Sequence, residues 1–151
     1  MADAQKYTQK LKGDRVLVIG GSAGIGFNVA EALIEHGANV TISSSSQSRI
    51  DDAVNKLLKD YPSAKGRING YPCDLANEST LDKNIEQLFD KVGELDHVVF
   101  TAGDKLAVQP LDQITMDGIK QAGMVSMLTS KITDVVGLFI YNRSASSPPS
   151  L

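Results

Sequence analysis

The stretch RVLVIGGSAGIGFNVAEALIEHG, residues 15–37, decides the fold of this chain. It opens with a short, β-branched apolar run, which predicts a buried strand. The loop GGSAGIG, residues 20–26, follows, and apolar residues then recur at helical spacing up to Gly37, a residue type that commonly ends helices. A strand, a glycine loop and a helix in this order are typical of a nucleotide-binding unit.

The same alternation of strand and helix continues along the chain. Segments 39–43, 68–75 and 95–103 are predicted strands, and segments 48–62 and 77–93 are predicted helices. Ser79 and Asp82 provide the start signal of the last helix. The strands recur at roughly the length of one strand-helix-strand unit. This order predicts an α/β fold with a parallel sheet.

Composition excludes several classes of partner and location. A net charge of −3 argues against a nucleic-acid surface, and no apolar run is long enough to cross a membrane. The start, MADAQKYTQKLKGDR, lacks the apolar segment of a secretory signal, and Cys73 is the single cysteine. We therefore expect a cytoplasmic protein with neither nucleic acid nor membrane as a partner.

Glycines in the loop have separate predicted roles. Gly20 permits a tight turn after the strand, because it has no Cβ. Gly24 lets the backbone approach a pyrophosphate, and Gly26 lets the helix pack closely on the sheet.

Four segments together resemble one family: the glycine loop, the serine run 43–46, and the segments 73–75 and 100–103. GGSAGIG is similar to the G-x-x-x-G-I-G loop of short-chain dehydrogenases/reductases, although Ile19 stands where the family usually has threonine. CDL, residues 73–75, resembles the family's D-[VL], and FTAG, residues 100–103, resembles its N-N-A-G without either asparagine. The resemblance covers roughly residues 14 to 120. It implies a Rossmann-like, doubly wound parallel sheet and hydride transfer between NAD(P) and a small carbonyl or alcohol.

The resemblance also implies which cofactor binds. At the end of the second strand, family members that use NAD carry an acid, and those that use NADP carry Ser-Arg. This chain has the serine run 43–46, with Ser45 at the arginine position and Arg49 one helical turn later. Hydroxyl groups bind a phosphate without the repulsion that a carboxylate exerts. NADP is favoured over NAD, with weaker binding than a complete Ser-Arg pair would give.

The remaining implied contacts come from the other two segments. Asp74 would accept a hydrogen bond from the adenine amino group; it could also cap the next helix, and the two roles are compatible. Leu75 would supply an N–H. Ala102 and Gly103 would let the chain pass close to the cofactor ribose. The expected cofactor-binding residues are Gly20, Ser22, Gly24, Ile25, Gly26, Ser43, Ser44, Ser45, Arg49, Asp74, Leu75, Thr101, Ala102 and Gly103.

No residue is assigned a catalytic role. The family uses a tyrosine with a lysine four residues later, since a phenol needs a nearby cation to exchange its proton at neutral pH. Tyr61 and Lys65 have this spacing, but they precede the third strand, and Pro62 prevents a continuing helix. His36 and His97 are isolated, so no metal is expected.

The segment after residue 120 departs from the family pattern. The family's asparagine position falls at Ser126, and Tyr141 has no lysine four residues on. Ser144 or Ser146 would imitate the catalytic serine only behind a helix that is too short.

The expected organisation is an N-terminal extension (1–13), a dinucleotide-binding domain (14–141) and a disordered tail (142–151). The sheet is expected to be incomplete in its C-terminal half, with the chain truncated or altered after the fourth strand. Three hypotheses stay open: an impaired NADP-dependent oxidoreductase, a non-catalytic NADP-binding or partner-binding pseudoenzyme, and a reductase whose catalytic residues lie elsewhere. An exposed sheet edge would favour pairing with a second copy or another chain.

Overall fold

The structure, a computed structural model, describes residues 10–77, 79–103 and 110–119. These residues form two compact units, which divide between Ala102 and Gly103. The predictions for Ser126, Tyr141, Ser144, Ser146 and the tail 142–151 fall outside the described residues. The three domain bounds stay predictions.

The first unit alternates strands with helices as predicted. Its elements are β1 (Arg15–Ile19), α1 (Gly24–Glu35), β2 (Asn39–Ser44), α2 (Gln47–Asp60), β3 (Ile68–Pro72), α3 (Leu81–Val92) and β4 (His97–Phe100). The four strands form one sheet in the order β3-β2-β1-β4, and all three strand pairs are parallel. The predicted α/β fold with a doubly wound parallel sheet is confirmed for the described part of the chain.

Strand β1 is apolar because both faces of the sheet are covered around it. Val16 and Val18 pack into a core with α1 and α2, which also contains Ile42 of β2. Leu17 is fully buried but lies outside that core, because successive side chains of a strand point to opposite faces. The buried residues of α3 also lie outside it, as expected for a helix that covers the second face; they are Leu81, Ile85, Leu88 and Phe89.

Element boundaries differ from the sequence predictions in several places, and β4 covers only His97–Phe100 of the predicted strand 95–103. Helix α2 begins at Gln47, one residue earlier than expected. Strand β3 ends at Pro72 rather than continuing to Leu75. Helix α3 begins at Leu81 behind Thr80, and no side chain caps it; the Ser79 hydroxyl instead donates to Asn77 Oδ1 at 2.7 Å. The predicted start signal at Ser79 was therefore wrong, because a local turn uses this hydroxyl.

Ion pairs connect the amino ends of the two neighbouring strands β1 and β4. The Arg15 guanidinium binds the carboxylates of Glu94 and Asp96, and it holds the pKa of Asp96 down at about 2. His97 Nε2 lies 3.1 Å from Asp14 Oδ2, so the prediction that His97 is isolated was wrong. These charges lie at the edge of the sheet opposite to the glycine loop, because the loop follows the carboxyl end of β1.

The described part of the second unit is short. It contains a 3-10 turn at Leu111–Gln113. Ile114, Met116 and Ile119 are exposed there. Across all of the described residues, no helix is long and apolar enough to span a membrane.

Candidate functional site: the loop after β1

The turn after β1 has no space for a side chain at its first residue. Gly20 has a φ of +92°, and a Cβ there would lie 2.5 Å from the Ala102 nitrogen. The N–H groups of Gly20 and Gly21 donate to the Ser43 carbonyl at 2.8 and 3.2 Å. The loop is therefore attached to the end of β2 and lies against the chain that leaves β4.

Gly24 and Gly26 are glycines for different reasons. Gly24 has a φ of +55°, and a Cβ there would meet nothing within 4 Å, so its conformation and not crowding requires glycine. A Cβ at Gly26 would lie 2.3 Å from the Gly20 oxygen and 2.4 Å from Thr101 Oγ1. Close packing of α1 on the sheet, the predicted reason for Gly26, agrees with this crowding.

The first turn of α1 is suited to receive an anion. Ala23 precedes the helix in an extended conformation, and no side chain caps the helix. Ala23 and Gly24 are exposed and Ile25 is 76% exposed, so this turn is accessible to solvent. N–H groups at such a helix start, together with the helix dipole, bind phosphates.

The serine run lies directly beside this loop. Ser22 Oγ donates to Ser44 Oγ at 2.9 Å, and Arg49 Nη2 donates to Ser45 Oγ at 2.6 Å. Four of the predicted residues are thus joined in pairs, and neither pair contains a carboxylate. Ser43 differs, because its side chain is fully buried and its hydroxyl has no hydrogen-bond partner. Ser43 contacts the glycine loop through its backbone carbonyl, which accepts the hydrogen bonds from Gly20 and Gly21.

The turn after β3 presents Asp74 to solvent. Asp74 Oδ1 accepts a hydrogen bond from the Ala76 N–H at 2.9 Å, a local turn rather than a cap on α3. The predicted capping role of Asp74 was therefore wrong, since Thr80 precedes α3. Leu75 is buried, with 6% of its surface exposed.

Sequence reasoning missed the support behind this turn. Asn84 Nδ2 on α3 donates to the Asp74 carbonyl at 2.9 Å and to Thr80 Oγ1 at 3.2 Å. The sequence signal that could have predicted this support is Asn84 itself, a polar residue three positions after Leu81 and beside the apolar stripe of α3.

The segment after β4 completes the described surroundings of the loop. The Thr101 N–H and hydroxyl both donate to the Ile19 carbonyl, at 2.8 and 3.1 Å. Its hydroxyl is thus turned toward β1, and Ala102 lies against Gly20. Gly103 belongs to the second unit and is exposed.

Two clefts open on either side of the serine run. A cleft of about 500 Å³ lies between α1 and α2, and Ser22, Gly24 and Arg49 line it. A smaller cleft of about 160 Å³ is lined by Ser45 and Asp74 together with residues of α3. Ser22, Gly24, Ser45, Arg49 and Asp74 therefore border two openings at the carboxyl edge of the sheet, where ligands of open α/β sheets bind.

Tyr61 and Lys65 do not lie on a common α-helix. Tyr61 follows the last residue of α2, and Pro62–Ala64 form a 3-10 turn, as the sequence predicted. The Tyr61 hydroxyl donates to Glu35 Oε1 at 2.7 Å, near the end of α1 farthest from the loop. This bond raises the pKa of Tyr61, the opposite of what proton transfer at neutral pH requires.

No metal centre was expected, and within the described residues no group of three or more histidine, cysteine, aspartate or glutamate side chains is placed to hold a metal ion.

Comparison with known proteins identifies a family. A family model described as an SDR-like Rossmann domain matches residues 7–147. The chain is 56% identical over 129 residues to "Short-chain dehydrogenase/reductase fsr5" of Gibberella fujikuroi, an alignment covering 83% of this chain and 49% of that protein. The chain spans about half the length of the curated relatives that it matches.

Solved structures give the same result. The structure of "MalC Reductase/Diels-Alderase" from Malbranchea aurantiaca matches with a TM-score of 0.70 and 32% identity, over 82% of this chain and 49% of that one. The "RhlG/NADP active-site complex" of Pseudomonas aeruginosa matches with a TM-score of 0.67 and 27% identity, over 82% and 46%. The glycine loop between β1 and α1, the parallel sheet and these matches lead to one conclusion: the chain belongs to the short-chain dehydrogenase/reductase family.

Proposed function

We propose that this chain is the cofactor-binding part of an NADP-dependent oxidoreductase that acts on a small carbonyl or alcohol. The observation that carries the proposal is the hydroxyl and guanidinium cluster beside the glycine loop, where Ser22 meets Ser44 and Arg49 meets Ser45. This cluster contains donors for a phosphate and no carboxylate to repel one.

Each part of the site has one role in the proposal. The first turn of α1, at Gly24–Gly26, binds the pyrophosphate through its N–H groups. Ser22, Ser44 and Arg49 bind the 2′-phosphate. Asp74 accepts from the adenine amino group through the carboxylate oxygen that Ala76 does not use.

When bound, the nicotinamide would donate or accept the hydride, and the protein's task is to hold and orient it. Gly20 and Ala102 lie in contact and let the backbone pass close to the ribose. The NADP complex known for the similar RhlG structure supports this cofactor. NAD is the alternative cofactor. Self-association through the sheet edge and a cytoplasmic location stay predictions.

A titration with the two reduced cofactors tests the proposal. The chain has no tryptophan, so binding is followed through the fluorescence of the nicotinamide itself. We expect NADPH to bind more tightly than NADH. Equal affinities would contradict the preference for NADP, and no binding of either at millimolar concentration would contradict the cofactor site.

A charge reversal at Ser44 tests which residues set the preference. Ser44→Asp places a carboxylate beside Ser22, so we expect NADPH affinity to fall about tenfold or more while NADH affinity is kept. Ser63→Asp, an exposed position in the turn after α2, is the matched control and leaves both affinities unchanged.

A further inference from the structure

The cleft between α1 and α2 extends beyond the predicted phosphate contacts. Its lining includes Arg49, Asp52 and Lys56 of α2, which lie three or four residues apart and so share one face of that helix. Ser22 and Gly24 line the opposite side. One wall therefore carries two cations and one anion, and the other carries the glycine loop.

Lys56 is held toward this cleft by an aromatic ring of α1. Its Nζ lies 4.7 Å from the centre of the Phe27 ring, within the range of a cation–π contact. Phe27 is buried and also lines the cleft. Because helical side chains point back toward the N-terminus, the ammonium group of Lys56 is directed to the loop end of the cleft.

The charges in the cleft differ from those of the whole protein. The chain carries a net charge of −3, whereas Arg49, Lys56 and Asp52 together contribute a net +1 to the lining. Among the described residues, Lys56 forms no ion pair with a carboxylate. Its charge is thus available to a ligand.

A second cation has a physical use here. Ser45 stands at the position where the family resemblance leads one to expect an arginine. One guanidinium nitrogen of Arg49 already donates a hydrogen bond to the Ser45 hydroxyl. A dianionic phosphate on this cluster would leave charge that one guanidinium does not neutralise.

We propose that Lys56 is a specificity-determining residue that contacts the 2′-phosphate of NADP from the α2 side of the cleft. The proposal rests on the proposed function, since it requires NADP to bind at the glycine loop. It adds a residue outside the loop and the serine run, and it explains how the chain prefers NADP without the Ser-Arg pair.

Isothermal titration of the 151-residue chain with four ligands tests the proposal. The pair 2′,5′-ADP and 5′-AMP differs only in the 2′-phosphate, and NADPH and NADH repeat the comparison with whole cofactors. Lys56→Met removes the charge and keeps an unbranched side chain over Phe27. Lys59→Met is the matched control, because Lys59 is an exposed lysine of α2 that lines neither cleft.

We expect Lys56→Met to lower the affinities for 2′,5′-ADP and NADPH about three- to tenfold, which is the effect of losing a partly exposed charge-assisted contact. The affinities of Lys56→Met for 5′-AMP and NADH should equal those of the wild-type chain. Lys59→Met should bind all four ligands with wild-type affinity. Lys56→Arg should retain most of the affinity for 2′,5′-ADP. The loss in Lys56→Met should shrink in 0.5 M salt.

Two results would overturn the assignment of Lys56. One is an unchanged affinity of Lys56→Met for 2′,5′-ADP, and the other is an equal loss for 5′-AMP and 2′,5′-ADP. Failure of the proposed function is seen separately, in the wild-type chain, as equal affinity for 2′,5′-ADP and 5′-AMP. If Lys56→Met failed to fold by circular dichroism, Lys56→Gln would provide the same comparison.

Discussion

Gly26 shows how a single missing Cβ positions the cofactor loop. The Gly20 carbonyl and the Thr101 hydroxyl both occupy the space that a side chain there would need. The Thr101 hydroxyl in turn binds the Ile19 carbonyl at the end of β1. Two segments of chain that carry predicted cofactor contacts, the glycine loop and the segment after β4, thus meet at one glycine.

Substitution of Gly26 should therefore damage both folding and binding. We expect Gly26→Ala to lower the free energy of unfolding by about 3 kcal/mol through overpacking against backbone atoms. NADPH affinity should fall about tenfold or more, because α1 must move away from the loop. Urea unfolding and cofactor titration measure the two effects.

The control is a glycine with space around it. Gly66 has a φ of +87° and no atom within 4 Å of a built Cβ. Gly66→Ala should cost about 1 kcal/mol through its left-handed conformation alone and leave binding unchanged. Equal costs for the two variants would contradict the crowding at Gly26.

At the scale of elements, α3 supports the site from the second face of the sheet. Its apolar stripe packs inward, while Asn84 on its flank binds the Asp74 carbonyl. The Cys73 thiol also lies 3.6 Å from the Asn84 carbonyl, so the turn after β3 is connected to α3 in both directions. The turn depends on a helix that contributes no predicted cofactor contact.

Removing this support should affect both cofactors alike. Asn84→Ala leaves the Asp74 carbonyl without its donor and loosens the turn that faces the adenine. We expect NADPH and NADH affinity to fall together about fivefold, the value of roughly one hydrogen bond. Glu86→Ala, at an exposed position of the same helix that lines neither cleft, is the control. A loss confined to NADPH would place the effect at the 2′-phosphate instead and contradict this role.

At the scale of the whole molecule, the reaction rate of the buried Cys73 thiol measures how often the surrounding structure opens. Cys73 is 5% exposed, and burial, with the nearby Asp74 carboxylate, raises its pKa to about 11. The thiolate is the reactive form, so a maleimide reagent at pH 7 should modify Cys73 only when the surrounding structure opens.

Cofactor binding should slow this modification. A ligand at 100 times its dissociation constant stabilises the bound state by about 2.7 kcal/mol, so labelling should slow by up to about 100-fold with NADPH. The control is Ser63→Cys in a Cys73→Ser background, where an exposed thiol should react quickly whether or not NADPH is present. Labelling of Cys73 that NADPH leaves unchanged would contradict the link between binding and stability.

The sequence alone was sufficient for the order of elements in the first unit. Periods of apolar residues and the glycines around them identified four strands and three helices, because those patterns depend on which side of a segment is buried. Local hydrogen bonds were harder to foresee. The start of α3 and the end of β3 depend on whether a side chain bonds its neighbours or the helix, and both were misplaced.

Residues far apart in the chain were brought together only by the tertiary structure. The hydrogen bond between Ser22 and Ser44, the support of Asp74 by Asn84 and the position of Lys56 over Phe27 join different elements. No spacing along the chain encodes these contacts, since they arise from the register of parallel strands and from how helices pack on the sheet. The sequence determined the cofactor-binding motif, and packing decided which other side chains surround it.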